Sequence, residues 1–436
     1  MATLINKQTA APLGARTAAA LLVMGLFGQV AWTIENMYFN VFLYNAILPD
    51  TGLIALMVAL SAVAATLTTL FMGALSDRLG KRKAFIVAGY LLWGLSILAF
   101  RFISPGNTML AEGARRAALL VVALDCVMTF FGSTANDAAF NAWVTDVTLP
   151  GNRGRAQGIL NTLPLISMLL VFGALDPLTQ AGRWADFFTI VGVATLIAGI
   201  LGLILIREPS VQPAREPYLP VLLHGFSLSV IRQNIGLYAA LLGLLMHGIA
   251  AQAYMPYLII YIQTGLGITN YALILGAVLL GAAALTLAYG PLIDRIGKTR
   301  AAIPAVILGL AGLLGMSVST SVPALIAAGF AMIGGSMAAA ACLNGLVQDG
   351  IPAGQAGRFQ GVRMIFSVLL PMVIGPFLGN AVIKGSARTY VELGLAKQVP
   401  TPAIFLVGAA VLALMLPVLW ILERRGKAGG RGSMAG

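Results

Sequence analysis

The chain has 436 residues, is 59% apolar and only 10% charged, and carries a formal net charge of +12. An ordinary soluble domain is roughly 25% charged. So few charges could not cover a water-facing surface, which excludes a soluble fold. A basic chain can suggest nucleic acid, but the placement of the charge described below excludes that partner as well.

Residues 1–16 form a short polar tail. Twelve apolar runs follow, near 17–46, 52–76, 83–104, 113–145, 154–176, 185–206, 233–263, 268–293, 300–320, 322–348, 355–383 and 401–423. Each is long enough for the roughly 20 residues that cross a bilayer as a helix. The first run is too long for a cleaved signal peptide, carries Glu35, and has no small-residue cleavage site after a short core. Six spans end near Arg207. Residues 208–232 read as a linker holding Pro209, Pro213, Pro217 and Pro220, and its stretch Tyr218–Val230 is apolar enough for a short interfacial helix. Six more spans fill 233–424, and the glycine-rich tail 425–436 is expected to be disordered. Cys126 and Cys342 fall inside spans and read as small packing residues. The 50 glycines suit helices that approach closely in lipid. The fold class is therefore an all-α membrane protein of twelve transmembrane helices.

The charge follows topology. With the N-terminus in the cytoplasm, the tails and even-numbered loops hold 20 of the 27 Lys and Arg. This is the positive-inside asymmetry, and it puts both termini on the cytoplasmic side of the plasma membrane.

The chain also repeats itself. The stretch from Gly73 through Asp77, Arg78 and Gly80 to Lys81 recurs as Gly290, Asp294, Arg295, Gly297 and Lys298, 217 residues on. A second pair agrees: Asn141, Val144, Asp146 and Arg155 match Asn344, Val347, Asp349 and Arg358, each with R-x-Q-G at the close. That offset is 203, and the polar connection Ser104–Arg116 in the first half accounts for the difference. Two six-helix bundles with the same orientation follow, related by an axis along the membrane normal. Gly80 and Gly297 permit tight turns. Asp77 and Asp294 can accept from a neighbouring helix N-terminus, while Lys81 and Lys298 can reach Asp146 and Asp349.

These loops resemble the signature of the major facilitator superfamily, G-x-x-x-D-R-x-G-[KR]-[KR]. Residues 73–82 match it; the second copy matches except at Thr299. The resemblance covers nearly the whole chain and implies two pseudo-symmetric bundles latched on the cytoplasmic side. By analogy Asp77 would dock near Arg358, and Asp294 near Arg155. Lys81 stands where the family more often has arginine, which implies a looser latch.

Polar residues at membrane depth are costly and usually functional. In the first span Trp32, Glu35 and Phe39 share one face, and Asn36 and Asn40 an adjacent one. In the fourth, Thr134, Asp137 and Asn141 follow helical spacing, with Asp125 about 18 Å farther out at 1.5 Å per residue. The seventh offers His247, Gln252, Tyr254, Tyr257 and Tyr261, and the tenth Asn344 and Gln348. A buried acid is driven toward its protonated form or needs a cation beside it, and either state can couple transport to an ion. Asp137, Glu35 and, less centrally, Asp125 are the coupling candidates. His247 reads as a packing or hydrogen-bonding residue. Aromatic faces such as Trp143 and the tyrosines suit sugar rings. Only Arg363 offers a cation within a span, which favours a neutral, hydroxyl-rich substrate.

Within the superfamily the chain resembles the glycoside–pentoside–hexuronide:cation symporters and their sucrose-transporter-like relatives, on the run Thr134 to Trp143 and on Glu35, Asn36 and Tyr38. That resemblance implies that Thr134 and Asp137 bind the coupling cation and that Glu35 contacts sugar. No acid precedes Asp77 in the second span and no lysine aligns in the eleventh, so a proton is expected rather than sodium. The expectation is a monomeric, proton-coupled sugar or glycoside symporter, with no cofactor or metal and no nucleic-acid partner. The alternative is a proton-coupled exporter of drugs or metabolites. A scaffold is disfavoured by the small loops. No HExxH, P-loop or nucleophile elbow marks an enzyme.

Overall fold

The computed structural model describes residues 13–103, 111–209, 226–352, 356–386, 389–392 and 395–432. Among the described residues twelve helices are long and apolar enough to cross a membrane. The first six are α1 (Ala15–Ile47), α2 (Thr51–Leu79), α3 (Lys83–Phe102), α4 (Gly113–Val147), α5 (Arg155–Gln180) and α6 (Trp184–Leu205). The second six are α7 (Ile235–Gly265), α8 (Tyr271–Ile296), α9 (Lys298–Val318), α10 (Val322–Gly350), α11 (Gly361–Gly385) and α12 (Ala403–Glu423). A short antiparallel hairpin, β1 (Thr389–Glu392) and β2 (Leu395–Gln398), accompanies them, with Thr389 opposite Gln398.

The chain forms two compact units. One comprises Met1–Leu48 and Val63–Glu216, the other Pro49–Ala62 and Pro217–Gly436. The division departs from a cut between bundles in one respect: the opening turns of α2 are grouped with the second unit. There the Thr51 hydroxyl lies 2.7 Å from Asn380 Oδ1 and 3.0 Å from Gln398 Oε1, and the Tyr257 hydroxyl lies 3.3 Å from the Thr51 carbonyl.

Each unit repeats the other's internal pairings. In the first, α1 packs on α5 and α6, and α3 on α4 and α6; in the second, α7 packs on α11 and α12, and α9 on α10 and α12. Small residues permit these approaches. A Cβ on Gly94 of α3 would stand 2.8 Å from the Gly192 carbonyl of α6, and one on Gly312 of α9 would strike the Met332 backbone of α10. The core of the first unit is aromatic. Phe39 lies 4.3 Å from Phe100, and Phe42 lies 4.9 Å from Phe188 and 5.1 Å from Trp184 between ring centroids.

At the chain's connections the structure describes part of three expected segments. The last helix runs on to Gly432, past the point where the glycine-rich composition predicts disorder. In the linker, residues 210–225 lie outside the described residues, and the helix found there is Leu228–Gln233. Residues 104–110 of the first-half insertion also lie outside them, and helix resumes at Ala111. Cys126 is half-buried and Cys342 buried, both as free thiols.

Candidate functional site

Two helices of the first unit widen where the polar residues sit. The backbone of α1 is π-helical over Ile34–Tyr38 and that of α4 over Ser133–Phe140. Such wide turns recur at functional sites and change which side chains share a face. That explains why faces expected from a 3.6-residue period are not shared. Trp32 and Glu35 turn toward α4, while Phe39 is fully buried against Phe100 and Phe188. Likewise Ser133, not Thr134, donates to Asp137 Oδ2, at 3.1 Å. The Thr134 hydroxyl donates to its own helix at the Phe130 carbonyl.

Glu35 is 7% exposed and Asp125 1%. The Thr129 hydroxyl donates to Glu35 Oε1 at 2.8 Å. Glu35 Oε2 and Asp125 Oδ1 are buried and accept no hydrogen bond from the protein. Asp137 is half-buried. Asp125, Thr129, Ser133 and Asp137 thus form a ladder at four-residue steps along α4, and Glu35 faces its second rung. Among the described residues no cation pairs with any of the three acids.

A hydrogen-bonded network holds this face. Trp32 Nε1 lies 3.4 Å from Asn136 Oδ1, the Asn136 amide donates to the Tyr90 hydroxyl at 2.8 Å, and Tyr90 donates to the Met24 carbonyl at 2.5 Å. It ties α1, α3 and α4 together. Gly28 is required beneath it, because a Cβ there would stand 2.6 Å from the Tyr90 oxygen and strike the Asn136 amide. Tyr90, Thr129, Ser133 and Asn136 escape a reading of the sequence that looks for charge. Asn136 had a signal: it lies inside the polar run that carries Asp137.

Several expected binding residues are committed to packing. Tyr38 is fully buried, and its hydroxyl donates to Asp176 Oδ1 at 2.9 Å. Trp143 is buried against Phe140 and donates to the Arg207 carbonyl at 2.9 Å, which fastens the end of α4 to the end of α6. Tyr254 packs on Phe405, as does Tyr261, and Tyr257 donates to the Pro376 carbonyl at 2.8 Å. The sugar-stacking faces expected of these rings are therefore covered. Asn40 is fully buried, its amide on the Asn36 carbonyl and its Oδ1 without a donor. Asn36, Asn141 and Gln348 are exposed, and Gln252 is half-buried.

The second unit gives partners to three of the expected polar residues. His247 Nε2 lies 2.9 Å from Ser336 Oγ and 3.0 Å from its carbonyl, joining α7 to α10. Arg363 donates to Asn344 Oδ1 at 2.9 Å, joining α11 to α10.

The repeated loops turn as their glycines require: Gly80 has φ 61° and Gly297 φ 84°, both in the left-handed region. In the second unit Lys298 reaches Asp349 at 2.5 Å, as the spacing predicts, and lies across Gly345. In the first unit the expected partner is wrong by one residue. Arg82, not Lys81, spans Asp77 at 2.6 Å and Asp146 at 2.9 Å, and also donates to Ser76 Oγ at 3.0 Å. Lys81 is exposed. Burial alone would lower the Arg82 pKa; the Asp146 and Asp77 carboxylates more than offset that and hold it above its usual value. Glu208 accepts from the backbone amides of Arg82 and Lys83, placing an anion at the N-terminus of α3. Asp294, Arg295 and Arg155 are exposed in their own units, and the Arg358 side chain lies outside the described residues.

Twelve spans in two units of like pairing, with uncompensated acids inside one unit, define a polytopic membrane carrier. The chain belongs to the Major Facilitator Superfamily, whose profile matches residues 21–376 and again 240–435. It is thus an integral membrane transporter by family. No curated protein matches it in sequence. Among solved structures it is similar to the nucleoside transporter NupG, with a TM-score of 0.68 at 11% identity over 94% of this chain and 99% of that one. It is also similar to a bacterial homologue of the human lysosomal transporter Spinster in an inward-facing, unoccupied conformation. There the TM-score is 0.65 at 13% identity, over 95% of this chain and 98% of that one. At such identities the likeness is one of fold.

Proposed function

We propose that this protein is a proton-coupled symporter of a neutral, hydroxyl-rich molecule, a sugar or glycoside, working by alternating access. It acts as a monomer with both termini in the cytoplasm. The observation that carries the reading is the set of acids on α1 and α4 that no cation neutralises. Inside a span such groups are expensive unless function retains them. Asp137 is the half-buried member and has one protein donor, Ser133, so it is the group best placed to exchange a proton. Glu35 stands behind it. Exposed Asn36 and Asn141 offer amide donors and acceptors suited to hydroxyl groups, and half-buried Gln252 offers the same chemistry in the second unit. Arg363 is already engaged by Asn344, which leaves little provision for an anion. The absence of acids along α2 before Asp77 favours a proton over sodium. A sucrose-transporter-like specificity fits this chemistry, and so does a nucleoside, itself a neutral glycoside.

The test is uptake into proteoliposomes under an imposed inward proton gradient, across labelled sugars, glycosides and nucleosides. Gradient-driven accumulation is expected for one of these classes, and Asp137→Asn is expected to abolish it while leaving exchange. Full coupled uptake by Asp137→Asn would refute the assignment. Outward movement of amphiphilic drugs with no sugar uptake would identify an exporter instead.

A further inference from the structure

The ladder on α4 holds a second acid that coupling through Asp137 does not use. We propose that Glu35 and Asp125 share a single proton between α1 and α4, forming with the Thr129 hydroxyl a proton store distinct from Asp137. This rests on the reading that transport is proton-coupled and deepens it.

The argument is one of burial and partners. Both carboxyls are more than nine-tenths buried. Each has an oxygen that accepts nothing from the protein, Glu35 Oε2 and Asp125 Oδ1. The Thr129 hydroxyl is spent on Glu35 Oε1. Asp125 lies one helical turn before Thr129, on the same face of α4. From α5, Asp176 is committed to Tyr38, Thr179 and Gln180. From α3, Tyr90 faces Asn136 and gives its proton to the Met24 carbonyl. Among the described residues no cation pairs with either carboxyl.

Two like charges in a dry interior cannot both persist. Removing both protons would leave two uncompensated ions, each costing several kcal/mol. Binding both would leave two O–H donors with no assigned acceptor but each other. One proton, donated from one carboxyl to the other, satisfies the orphaned oxygens. The pair then titrates as a unit rather than as two residues. The proton comes from water and returns to water; only a carboxyl O–H bond forms and breaks. Asp137, three ladder steps from Asp125 and two from the rung that Glu35 faces, is the half-buried acid of the ladder.

The test is infrared spectroscopy of the purified full-length protein in detergent, in H2O and D2O at neutral pH. The wild type should show a protonated-carboxyl C=O band, shifted on deuteration, with a component equal to one group that does not belong to Asp137. It should survive in Asp137→Asn and vanish in the Glu35→Gln/Asp125→Asn double variant. Thr129→Val should move the band to higher frequency without removing it, because the carbonyl loses its donor. That single variant decides the matter if the double variant fails to fold. A band of undiminished area in the double variant, or a wild type with no such band, overturns the proposal. Loss of the band on adding sodium at fixed pH also overturns it, since a metal cation would then fill the place given to the proton. The two readings fail separately. Loss of coupled uptake in Asp137→Asn with a band indifferent to Glu35 and Asp125 sinks the shared proton alone. Intact coupled uptake in Asp137→Asn with the expected band sinks the coupling role of Asp137 alone.

Discussion

Replacing Arg82 by alanine should cost far more than the same change at either lysine of the repeated loops. The Arg82 side chain is 5% exposed and bridges Asp146, 20% exposed, and Asp77, 44% exposed. A hydrogen bond to a charged group contributes roughly 1.5–3 kcal/mol. The Asp146 arm, shielded at both ends, should approach that range. The Asp77 arm is open to water at one end, and solvent screening reduces it to below about 1 kcal/mol. The sum is about 3 kcal/mol, since alanine also leaves Asp146 and Ser76 without their partner. Lys298 is 35% exposed and Asp349 62%, so that pair is worth at most about 1 kcal/mol. Lys81 is exposed, and its loss should be close to neutral. Thermal unfolding in detergent, followed by tryptophan fluorescence at one scan rate, reads the difference. At roughly 2–4 °C per kcal/mol for a unit of this size, Arg82→Ala should lower the midpoint by roughly 6–12 °C. Arg82→Lys should recover only part of this, because an ammonium cannot span both carboxylates as a guanidinium does. A Lys81→Ala midpoint as low as that of Arg82→Ala would refute the reasoning, as would an Arg82→Ala midpoint equal to the wild type.

Other substitutions separate packing from binding. Gly297→Ala places a Cβ in open space at φ 84° and ψ 152°, a backbone region essentially confined to glycine, so its cost is conformational alone, about 1–3 kcal/mol, and Gly297→Asn should not relieve it; equal midpoints for wild type and Gly297→Ala would show that the turn adapts. Tyr38→Phe removes one donor from Asp176 and should destabilise by about 1 kcal/mol with substrate KM unchanged. A raised KM at unaltered stability would return Tyr38 to the binding set. Gly28→Ala should break the Asn136–Tyr90 contact and lower both stability and uptake, which parallel unfolding and transport measurements check.

The spans and their duplication were legible because bilayer thickness sets the length of every element and the repeat supplies its own control. The glycine turns and the Lys298–Asp349 pair were legible for the same reason. Arg82 was not. Aligning the two loops makes Lys81 the counterpart of Lys298, and only the folded turn, with Glu208 on the amides of Arg82 and Lys83, shows the next residue turned inward. The faces of α1 and α4 were misread because a π-helical turn leaves no mark in composition, and it displaces each side chain beyond it. The aromatic residues posed a third difficulty. In helices apolar on nearly all sides, periodicity cannot tell a ring packed on Phe405, as Tyr254 is, from one that lines a cavity.

The division of α2 bears on dissection of the molecule. A polypeptide beginning at Pro217 would lack the segment Pro49–Ala62 that completes its unit, stripping Asn380, Gln398 and Tyr257 of their contact with Thr51. Severed halves should therefore mature poorly in isolation and recover when synthesised together, with the amino-terminal fragment lending its missing rod in trans.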